Sequence, residues 1–373
     1  MKIVVPVRVF PTAPQQESLA ATLRACNDAA NTVSRLAWDR RVFRQYDLHH
    51  ATYTQLKAAG LGAQAAVRVI AKVADAYKLD TRTKRFFKPS AAQAFDDRCL
   101  SWQLPPAPQG GREEAVEGTV SIWTVTGRLK GLRFKCSPQQ MAALRVHRKG
   151  ESDLVHRGGM WFLHATCDVP DVTPFTPRGW VGVDLGIANI ATTSDGFQFS
   201  GRTLNRVRHR HRKLRTKLQR KGTKSAKRLL KRRSKKERLF ARDVNHCIAK
   251  RIVTEAERTG RGIAVEDLTG IRARVRLRKP QRVTLHSWSF HQLERFLAYK
   301  AGRAGVPVVA VDPAYTSQTC SHCAHREKAN RKNQAEFVCR SCGVVAHADH
   351  NAARNIAARG EADWAAVNRP NAA

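Results

Sequence analysis

The sequence predicts a multidomain α/β protein with an inserted four-cysteine zinc knuckle. Three observations predict this fold class. The N-terminal half changes from helical spacing of apolar residues to strand alternation, the C-terminal half alternates short buried strands with helices, and two cysteine pairs interrupt that second half. At 373 residues the chain is long enough for two or three domains.

The N-terminal half begins with a strand, MKIVVPVRVF, whose apolar run is too broken by Pro6 and Arg8 to be a signal peptide. Apolar residues at helical spacing predict helices over residues 11–84. Residues 89–117 no longer show the helical spacing of apolar residues, and LPPAPQGGREE within them predicts a loop. Strand patterns then dominate to Val172, with turns at Gly127 and at Gly158-Gly159, and residues 174–178 are typical of a linker.

The C-terminal half is predicted to begin with two strands in WVGVDLGIANIATTSDG. Two antiparallel helices follow over residues 206–259, with the break between them at Gly222. Next come a buried strand in GIAVEDL, a helix in FHQLERFLAYKAGRAG and another strand in VPVVAVD. A helix over 351–359 follows the cysteine pairs, and a frayed tail is expected after it.

The charge of the chain is strongly one-sided. Sixty-seven Lys and Arg face 30 Asp and Glu, which gives a formal charge of +37 and a pI near 10.9. Self-repulsion of this size disfavours a compact state unless a polyanion screens it, and phosphate neutralisation dominates nucleic-acid binding. We therefore expect a nucleic-acid partner. Since no stretch approaches the roughly 18 apolar residues of a membrane span, we expect a cytoplasmic, nucleoid-associated protein without a membrane partner.

Two cysteine pairs are the most specific single motif. Cys320-x-x-Cys323 and Cys339-x-x-Cys342 are separated by a loop of hairpin size, which suits tetrahedral four-thiolate zinc. A redox role for either pair is the alternative, although it does not need two matched pairs. The other cysteines are isolated and are interpreted as ordinary core thiols: Cys26, Cys99, Cys136, Cys167 and Cys247.

Several acids follow predicted buried strands. Asp184 ends a strand before Gly186, Glu266 ends Ile263–Val265, and Asp349 precedes the last helix. Converging carboxylates could hold two divalent ions about 3.5–4 Å apart for phosphodiester hydrolysis, and hard oxygen ligands favour Mg²⁺ or Mn²⁺. Each acid alone could equally be a turn or N-cap residue. Asp312 also ends a strand and competes with Asp349 for the third position.

The basic segment, residues 206–238, holds eighteen Lys or Arg with Glu237 as its one acid. Like charges at helical spacing destabilise an isolated helix but become favourable against a phosphate backbone. A solvated charged face usually carries both signs, so we interpret this segment as a nucleic-acid surface. Its candidate contact residues are Arg206, Arg208, Arg210, Arg212, Lys213, Arg215, Lys217, Arg220, Lys221, Lys224, Lys227 and Arg228.

The order of motifs resembles the TnpB (OrfB) proteins of bacterial insertion sequences, which are compact relatives of the type V CRISPR effectors. The resemblance spans nearly the whole chain. It rests on FPT, LSW, TGRLKG, VGVDLG, VEDL, HSWSFHQLERFLAYKA, VDPAYTSQTCSHC, CRSCG and ADHNAARNI. Ala324 departs from the pattern, because it stands where a glycine commonly follows the first cysteine pair.

This resemblance implies an RNase H-like RuvC nuclease domain (176–318 and 344–360) interrupted by the zinc knuckle (319–343). It also implies a wedge-like β-barrel domain (1–12 and 93–175), a helical recognition domain (13–92) and a flexible tail (361–373). The catalytic acids would be Asp184, Glu266 and Asp349 rather than Asp312. A guide RNA and double-stranded target DNA would be the partners, and Tyr53 and Gln64 are candidates for reading a motif beside the target.

Two other functions stay open on the sequence. A DNA-joining transposase of the same fold class would normally order its acids Asp, Asp, Glu, and the one His-x-His pattern, His209-Arg210-His211, lies inside the basic segment. A guided repressor that binds without cutting would not need all three acids. We therefore expect a transposon-encoded, RNA-guided DNA endonuclease with Mg²⁺ or Mn²⁺ at its acids and structural Zn²⁺.

Overall fold

The computed structural model of the chain describes residues 1–106, 115–270 and 290–368. It divides into two compact units, Met1–Pro170 and Asp171–Ala373. Among the described helices, none is both long and apolar enough to cross a membrane. The predicted loop LPPAPQGGREE lies mostly outside the described residues, and so does the start of HSWSFHQLERFLAYKA.

The first unit contains a three-helix bundle, as predicted for residues 11–84. Its helices are α1 (Ala13–Arg40), α2 (Gln45–Ala58) and α3 (Ala63–Leu79). Helix α1 begins with a capping box in which the Thr12 backbone N–H donates to Gln15 Oε1 at 3.0 Å. The three helices share an apolar core that includes the fully buried side chains of Leu48, Ile70 and Tyr77.

A seven-stranded antiparallel sheet forms the rest of the first unit. Its strands are β1 (Lys2–Val9), β2 (Gln93–Phe95), β3 (Leu100–Gln103), β4 (Val116–Thr124), β5 (Gly127–Cys136), β6 (Arg148–Arg157) and β7 (Met160–Asp168), in the order β2-β6-β7-β1-β5-β4-β3. The predicted hairpin at Gly158-Gly159 is confirmed, because Arg157 pairs with Met160. The described pairings leave β2 and β3 at the two edges, so closure into a barrel stays a prediction.

One local expectation for the first unit is wrong. Residues 138–147, expected among strands, form helix α4 (Pro138–His147). The reason for α4 is a complete capping box. Ser137 Oγ accepts from the Gln140 backbone, the Gln140 side chain accepts from the Ser137 backbone at 2.9 Å, and Pro138 fits the first turn.

A mixed five-stranded sheet forms the centre of the second unit. Its strands are β8 (Trp180–Asp184), β9 (Asn189–Thr193), β10 (Gln198–Ser200), β11 (Gly262–Glu266) and β12 (Val308–Val311), in the order β10-β9-β8-β11-β12. Strands β8, β11 and β12 run parallel, whereas β9 and β10 are antiparallel. The parallel strands are almost wholly apolar because helices cover both faces of the sheet.

Four long helices surround this sheet: α5 (Arg202–Lys221), α6 (Lys224–Arg258), α7 (Phe290–Ala304) and α8 (Ala348–Val367). Gly222 adopts φ 63° between α5 and α6, as the predicted break requires. The interpretation of Cys247 as a core thiol is wrong. It lies on the outer side of α6, between the buried Asn245 and Ile248, whereas the other four isolated cysteines are buried.

The last helix is longer than expected and begins earlier. Asp349 lies inside the first turn of α8 instead of before it, and the helix runs to Val367, past the start of the expected frayed tail. The extension is explained by Trp364, whose ring centroid lies 5.6 Å from that of Trp180 in β8. This contact packs the last turns of α8 against the sheet. Strands β13 (Glu336–Val338) and β14 (Val345–His347) form a small hairpin just before α8.

Candidate active site and zinc centre

Two of the predicted acids leave neighbouring strands at the same edge of the sheet. Val183 of β8 pairs with Val265 of β11 in parallel, and Asp184 and Glu266 are the next residues of these strands. Because parallel strands present their carboxyl ends together, both carboxylates emerge side by side. This is the convergence that the strand-end pattern predicted.

Helix α8 brings in the third acid, and a close approach to β8 makes this possible. A β-carbon at Gly182 would lie 2.5 Å from the Ala357 backbone nitrogen and would overlap the Ala353 carbonyl oxygen. Only glycine therefore lets α8 cross directly over β8. The first turn of the helix, which contains Asp349, then lies over the carboxyl end of that strand.

Hydrogen bonds orient the two outer acids. Asn189 Nδ2 donates to Asp349 Oδ2 at 3.0 Å, and Arg331 Nη2 donates to Asp349 Oδ1 at 3.4 Å. Thr316 Oγ1 donates to Glu266 Oε1 at 2.6 Å. None of these three partners was predicted from the sequence. Asn189 and Thr316 lie within the motifs VGVDLG–IANI and VDPAYTSQ, but nothing in the pattern shows which acid each one contacts.

Burial and neighbouring charges disfavour the ionisation of two of the acids. Burial, followed by the charges of Glu266 and Asp349, raises the pKa of Asp184 well above its usual range, while the Arg331 guanidinium lowers it. Burial also raises the pKa of Glu266, against the opposing effects of Thr316, Arg359 and Arg331. Three carboxylates in such surroundings resist joint ionisation unless a cation neutralises them. This donor set of oxygens fits Mg²⁺ or Mn²⁺.

Asp349, and not Asp312, is the acid that acts on Asp184. The Asp312 side chain is exposed and accepts a hydrogen bond from the Ala314 backbone at 3.0 Å, as a turn residue does. Asp312 influences Glu266 but is absent from the groups that shift the pKa of Asp184. The choice of Asp349 over Asp312 stays the prediction that the family resemblance implied.

The four predicted zinc ligands form a compact cluster. All four sulfur atoms lie within 4.8 Å of one another, with Cys320 Sγ 3.7 Å from Cys342 Sγ and Cys323 Sγ 3.6 Å from Cys339 Sγ. Zinc–sulfur bonds of about 2.3 Å in a tetrahedron separate the sulfurs by about 3.8 Å. Within the described residues this is the one group of at least three His, Cys, Asp or Glu that approaches so tightly, so the three acids are spaced more widely than the thiols.

Two of the thiols differ strongly in how readily they lose a proton. The Cys342 backbone N–H, together with that of Ser341 and neighbouring thiols, lowers the pKa of Cys339 to about 6. The Val344 N–H lowers the pKa of Cys342, but burial and the other thiols raise it to about 12. Thiolates this close to one another repel, so the four thiols do not all ionise by themselves. A divalent ion would offset the repulsion and allow all four to ionise.

Side-chain amides connect the knuckle to helix α8. Asn351 Nδ2 donates to the Thr319 carbonyl at 2.7 Å, and its Oδ1 accepts from the Ser321 backbone at 2.9 Å. Asn355 Nδ2 donates to the Thr316 and Thr319 carbonyls at 2.8 and 2.7 Å. The first cysteine pair is therefore attached to the helix that also carries Asp349. The sequence analysis did not assign a role to either asparagine.

Ala324 has a left-handed backbone, with φ 60°. The position thus has the conformation that glycine favours, which explains why glycine is common here but not why this chain has alanine. Its N–H still donates to the Cys320 carbonyl at 3.0 Å, so the turn that follows the first cysteine pair is complete. The alanine strains the turn without opening it.

The basic segment folds back on itself as a helical hairpin. Glu237 of α6 accepts from Arg215 Nη2 at 3.3 Å and lies 2.9 Å from His211 Nδ1, both of α5. Of the twelve candidate contact residues, eleven are exposed and Arg208 is half-buried. The hairpin therefore presents its positive charge to solvent, apart from the few groups gathered around Glu237.

The two candidates for reading a target-flanking motif both lie in the helical part of the first unit. The Tyr53 ring stacks on His49 at 4.6 Å. The Gln64 amide is engaged within the protein, because it donates to Asp96 and accepts from Arg98 Nη1 at 3.2 Å. Gln64 would have to give up these hydrogen bonds before its amide could contact a base.

Comparisons with known proteins confirm the resemblance to the TnpB (OrfB) proteins. Residues 164–272 match the OrfB_IS605 family, described as "Probable transposase", and residues 290–356 match the "Cas12f1-like, TNB domain" family. The "CRISPR-associated endodeoxyribonuclease Cas12f1" of Sulfoacidibacillus thermotolerans is 32% identical over 226 residues, 55% of this chain and 52% of that protein. The "Putative RNA-guided DNA endonuclease InsQ" of Escherichia coli K12 is 32% identical over 227 residues, 55% of each chain. The chain thus spans about half the length of the curated relatives it matches.

The fold is that of a compact type V nuclease. A solved Cas12f1–sgRNA–target DNA complex superposes with a TM-score of 0.60 at 14% sequence identity, over 92% of this chain and 83% of that one. At this level of identity the likeness concerns the fold alone. The four-cysteine cluster is present, whereas the RuvC and wedge subdivision of the chain stays a prediction.

Proposed function

We propose that this chain, a relative of the TnpB (OrfB) proteins through residues 164–272 and 290–356, is an RNA-guided DNA endonuclease. Its phosphodiester hydrolysis would take place at Asp184, Glu266 and Asp349. The observation that supports this most directly is that the parallel register of β8 and β11 places Asp184 beside Glu266 at one edge of the sheet. Burial, and then the charges of Glu266 and Asp349, raise the pKa of Asp184, and a bound cation would offset this cost.

Asp184, Glu266 and Asp349 would hold Mg²⁺ or Mn²⁺. When bound, such ions supply Lewis-acid activation of water and stabilise charge on the scissile phosphate. Asp184 lies near enough to Glu266 and Asp349 for the charges of both, after burial, to raise its pKa, so the three acids would be able to hold the ions together.

The partners of the acids would then have distinct tasks. Asn189 holds one oxygen of Asp349 and leaves the carboxylate in a fixed orientation, and Thr316 does the same for Glu266. Arg331 comes from the knuckle and lies close to Asp349. Its guanidinium reduces the negative charge of the site and could turn towards a scissile phosphate once cations occupy the acids.

The basic segment would bind the guide RNA or its heteroduplex with target DNA. In guided recognition, base pairing reads the sequence, and the protein holds the duplex by its shape and phosphates. The exposed cations of α5 and α6 suit this task, because the hairpin lacks the alternating signs of an ordinary charged surface. Zn²⁺ at Cys320, Cys323, Cys339 and Cys342 would be purely structural.

Substitution of Asp184 tests the active site. Asp184→Ala should abolish cleavage of guide-complementary DNA in Mg²⁺ while binding of guide and target stays within about twofold of the wild type, because the carboxylate contacts ions and not bases. Asp312→Ala is the matched control, since it removes an exposed acid after the neighbouring strand and should cut normally. Normal cleavage by Asp184→Ala would exclude the proposed site. Recovery of joined DNA strands would instead favour the transposase alternative.

Salt dependence tests the nucleic-acid surface. A protein that contacts about ten phosphates loses on the order of a thousandfold in affinity between roughly 50 and 200 mM salt. We expect this loss for guide RNA, and we expect a shallower dependence after Lys217 and Lys224 are changed to alanine. An affinity that stays constant over this range would show that the basic segment is not the contact surface.

A further inference from the structure

A pocket of about 420 Å³ opens at the edge of the second unit's sheet, away from the three acids. The turn between β9 and β10 forms one wall, and one face of α6 forms the other. Val183 pairs with Thr193 and Asp184 with Thr192, so the turn after Thr193 lies at the opposite end of β8 from Asp184. The pocket is lined by Val181, Thr193, Asp195, Phe197, Phe199, Cys247, Lys250, Arg251, Ile252, Thr254 and Glu255.

Two aromatic rings form the apolar part of this pocket. Phe197 and Phe199 are two residues apart on the edge strand and its turn, so both side chains face α6. Phe197 is 49% exposed, which is unusual for a phenylalanine that lines a cavity. The Arg251 guanidinium lies 5.5 Å from the Phe197 ring centroid and 5.8 Å from that of Phe199. An accessible ring beside a guanidinium is the surface on which a nucleobase stacks.

The charge of the pocket is positive once its ion pairs are considered. Both Asp195 oxygens accept from Arg261, at 2.8 and 2.7 Å. The Glu255 oxygens accept from Arg258 at 3.1 and 2.6 Å. Each acid in the lining is therefore already balanced by an arginine outside it. The charges of Lys250 and Arg251 are left to act on a ligand.

More positive charge lies next to the pocket on α7. Burial and the charges of Lys250 and Arg303 lower the pKa of Lys300, and Lys300 and Lys250 contribute to lowering that of His246. These cations repel one another in the absence of an anion. A phosphate group at the mouth of the pocket would relieve that repulsion.

We infer that this pocket binds one unpaired nucleotide of a single-stranded nucleic acid. The base stacks on Phe197 over the apolar floor, and Lys250 and Arg251 hold its phosphate. A cavity of about 420 Å³ lies within the about 300–1,000 Å³ usual for small-ligand sites and accepts one nucleotide. The inference rests on the proposed function, because it takes a guide RNA or an unwound DNA strand as the source of the nucleotide.

Cys247 allows a direct test, because it is an exposed thiol in the pocket lining. The alkylation rate of Cys247 by iodoacetamide is measured by peptide mass spectrometry on the full chain, with and without short oligouridylate or oligothymidylate. At ten times the Kd of the probe, occupancy should slow alkylation about tenfold. Protection by oligouridylate alone assigns the pocket to RNA, protection by oligothymidylate alone assigns it to DNA, and protection by both shows that the sugar is not read.

Two results would overturn the inference. The first is unchanged alkylation while fluorescence polarisation shows the probe bound; in that case the nucleic-acid function stands and only the pocket assignment is lost. The second is protection that grows with protein concentration in the absence of any probe, which would identify a second copy of the chain as the occupant. A chain that binds neither probe contradicts both this inference and the proposed function.

Substitutions separate stacking from general charge. Phe197→Leu keeps an apolar side chain but removes the ring, so affinity for the probe should fall about fivefold or more, since stacking contributes on the order of 1–3 kcal/mol per base. Phe197→Tyr should restore it. Arg251→Ala should weaken binding more than Arg242→Ala, which removes the same charge from the same helix outside the pocket. Equal affinities for Phe197→Leu and the wild type would contradict stacking.

Discussion

Gly182→Ala tests whether the close crossing of α8 over β8 positions the third acid. The added β-carbon would lie 2.5 Å from the Ala357 nitrogen and would overlap the Ala353 carbonyl oxygen. Both obstacles are helix backbone, so no side-chain rotation can relieve the clash. The helix must move away from the strand, and Asp349 moves with it.

The size of the effect follows from that displacement. Ordinary contact begins at 3.4 Å, so the Ala357 nitrogen alone requires a shift of about 1 Å, and the overlapping Ala353 oxygen requires more. A misplacement of about 1 Å lowers a catalysed rate by on the order of a hundredfold, equivalent to about 2.7 kcal/mol of the barrier. Overpacking of this kind also lowers the free energy of unfolding by about 1–3 kcal/mol.

Single-turnover cleavage of guide-complementary DNA, with binding measured in parallel, distinguishes these effects. We expect the cleavage rate to fall about a hundredfold while affinity for guide and target stays near that of the wild type. Gly302→Ala is the matched control. Nothing lies within 4 Å of its added β-carbon, so the substitution should leave cleavage unchanged and stabilise α7 by up to about 1 kcal/mol. A folded Gly182→Ala protein that cuts at the wild-type rate would refute the positioning argument.

Three further predictions concern stability. Ala324→Gly should relieve the strain at φ 60° by about 1 kcal/mol after the entropy of glycine is subtracted, so zinc removal should need about fivefold more chelator. Glu237→Gln should destabilise the α5–α6 hairpin by about 1–3 kcal/mol at low salt, seen as faster hydrogen exchange. Burial lowers the pKa of Lys72 to about 8, so the unfolded chain keeps a proton that the folded unit loses. Lys72 should therefore add about 1 kcal/mol to the free energy of unfolding between pH 8 and 9, measured in urea titrations as the difference in slope between the wild type and Lys72→Met. The buried thiols, whose pKa burial raises, contribute the opposite slope in both proteins.

Matched variants give each of these predictions a control. Ala329→Gly lies in the knuckle without a positive φ and should not improve zinc retention, and equal effects of the two glycines would contradict the strain argument. Glu257→Gln removes an exposed acid from the same helix and should leave exchange unchanged. Lys72→Met keeps the contribution of the buried thiols and removes only the rise due to Lys72. Identical slopes for the two proteins between pH 8 and 9 would contradict the prediction.

Strand-end acids were predictable from the sequence because parallel strands place their last residues together. Asp184 and Glu266 each follow an apolar run, and the register of Val183 with Val265 brings them side by side. Asp349 was different. The strand pattern favoured Asp312 as much as Asp349, and only the family resemblance implied that Asp349 is the third acid. The crossing of α8 over β8 at Gly182 places Asp349, and no sequence pattern predicts such a crossing.

Side-chain contacts that depend on how a loop folds could not be predicted from the sequence. Arg331 belongs to a loop of mixed polar residues, and only its three-dimensional position links it to Asp349. Cys247 shows the opposite error, because thiols are usually buried but this one faces outward from α6. The helix at residues 138–147 was predictable in principle, since Ser137 and Gln140 have the spacing of a capping box.

The hydrogen bond between Asn189 and Asp349 joins residues 160 positions apart in the chain. During translation of the second unit, Asp184 is synthesised with the first strand, and the positively charged α5–α6 hairpin follows soon afterwards. The final acid follows only after the four cysteines have been translated. Under the proposed function, prematurely terminated products should therefore bind nucleic acid but lack the third acid of the active site.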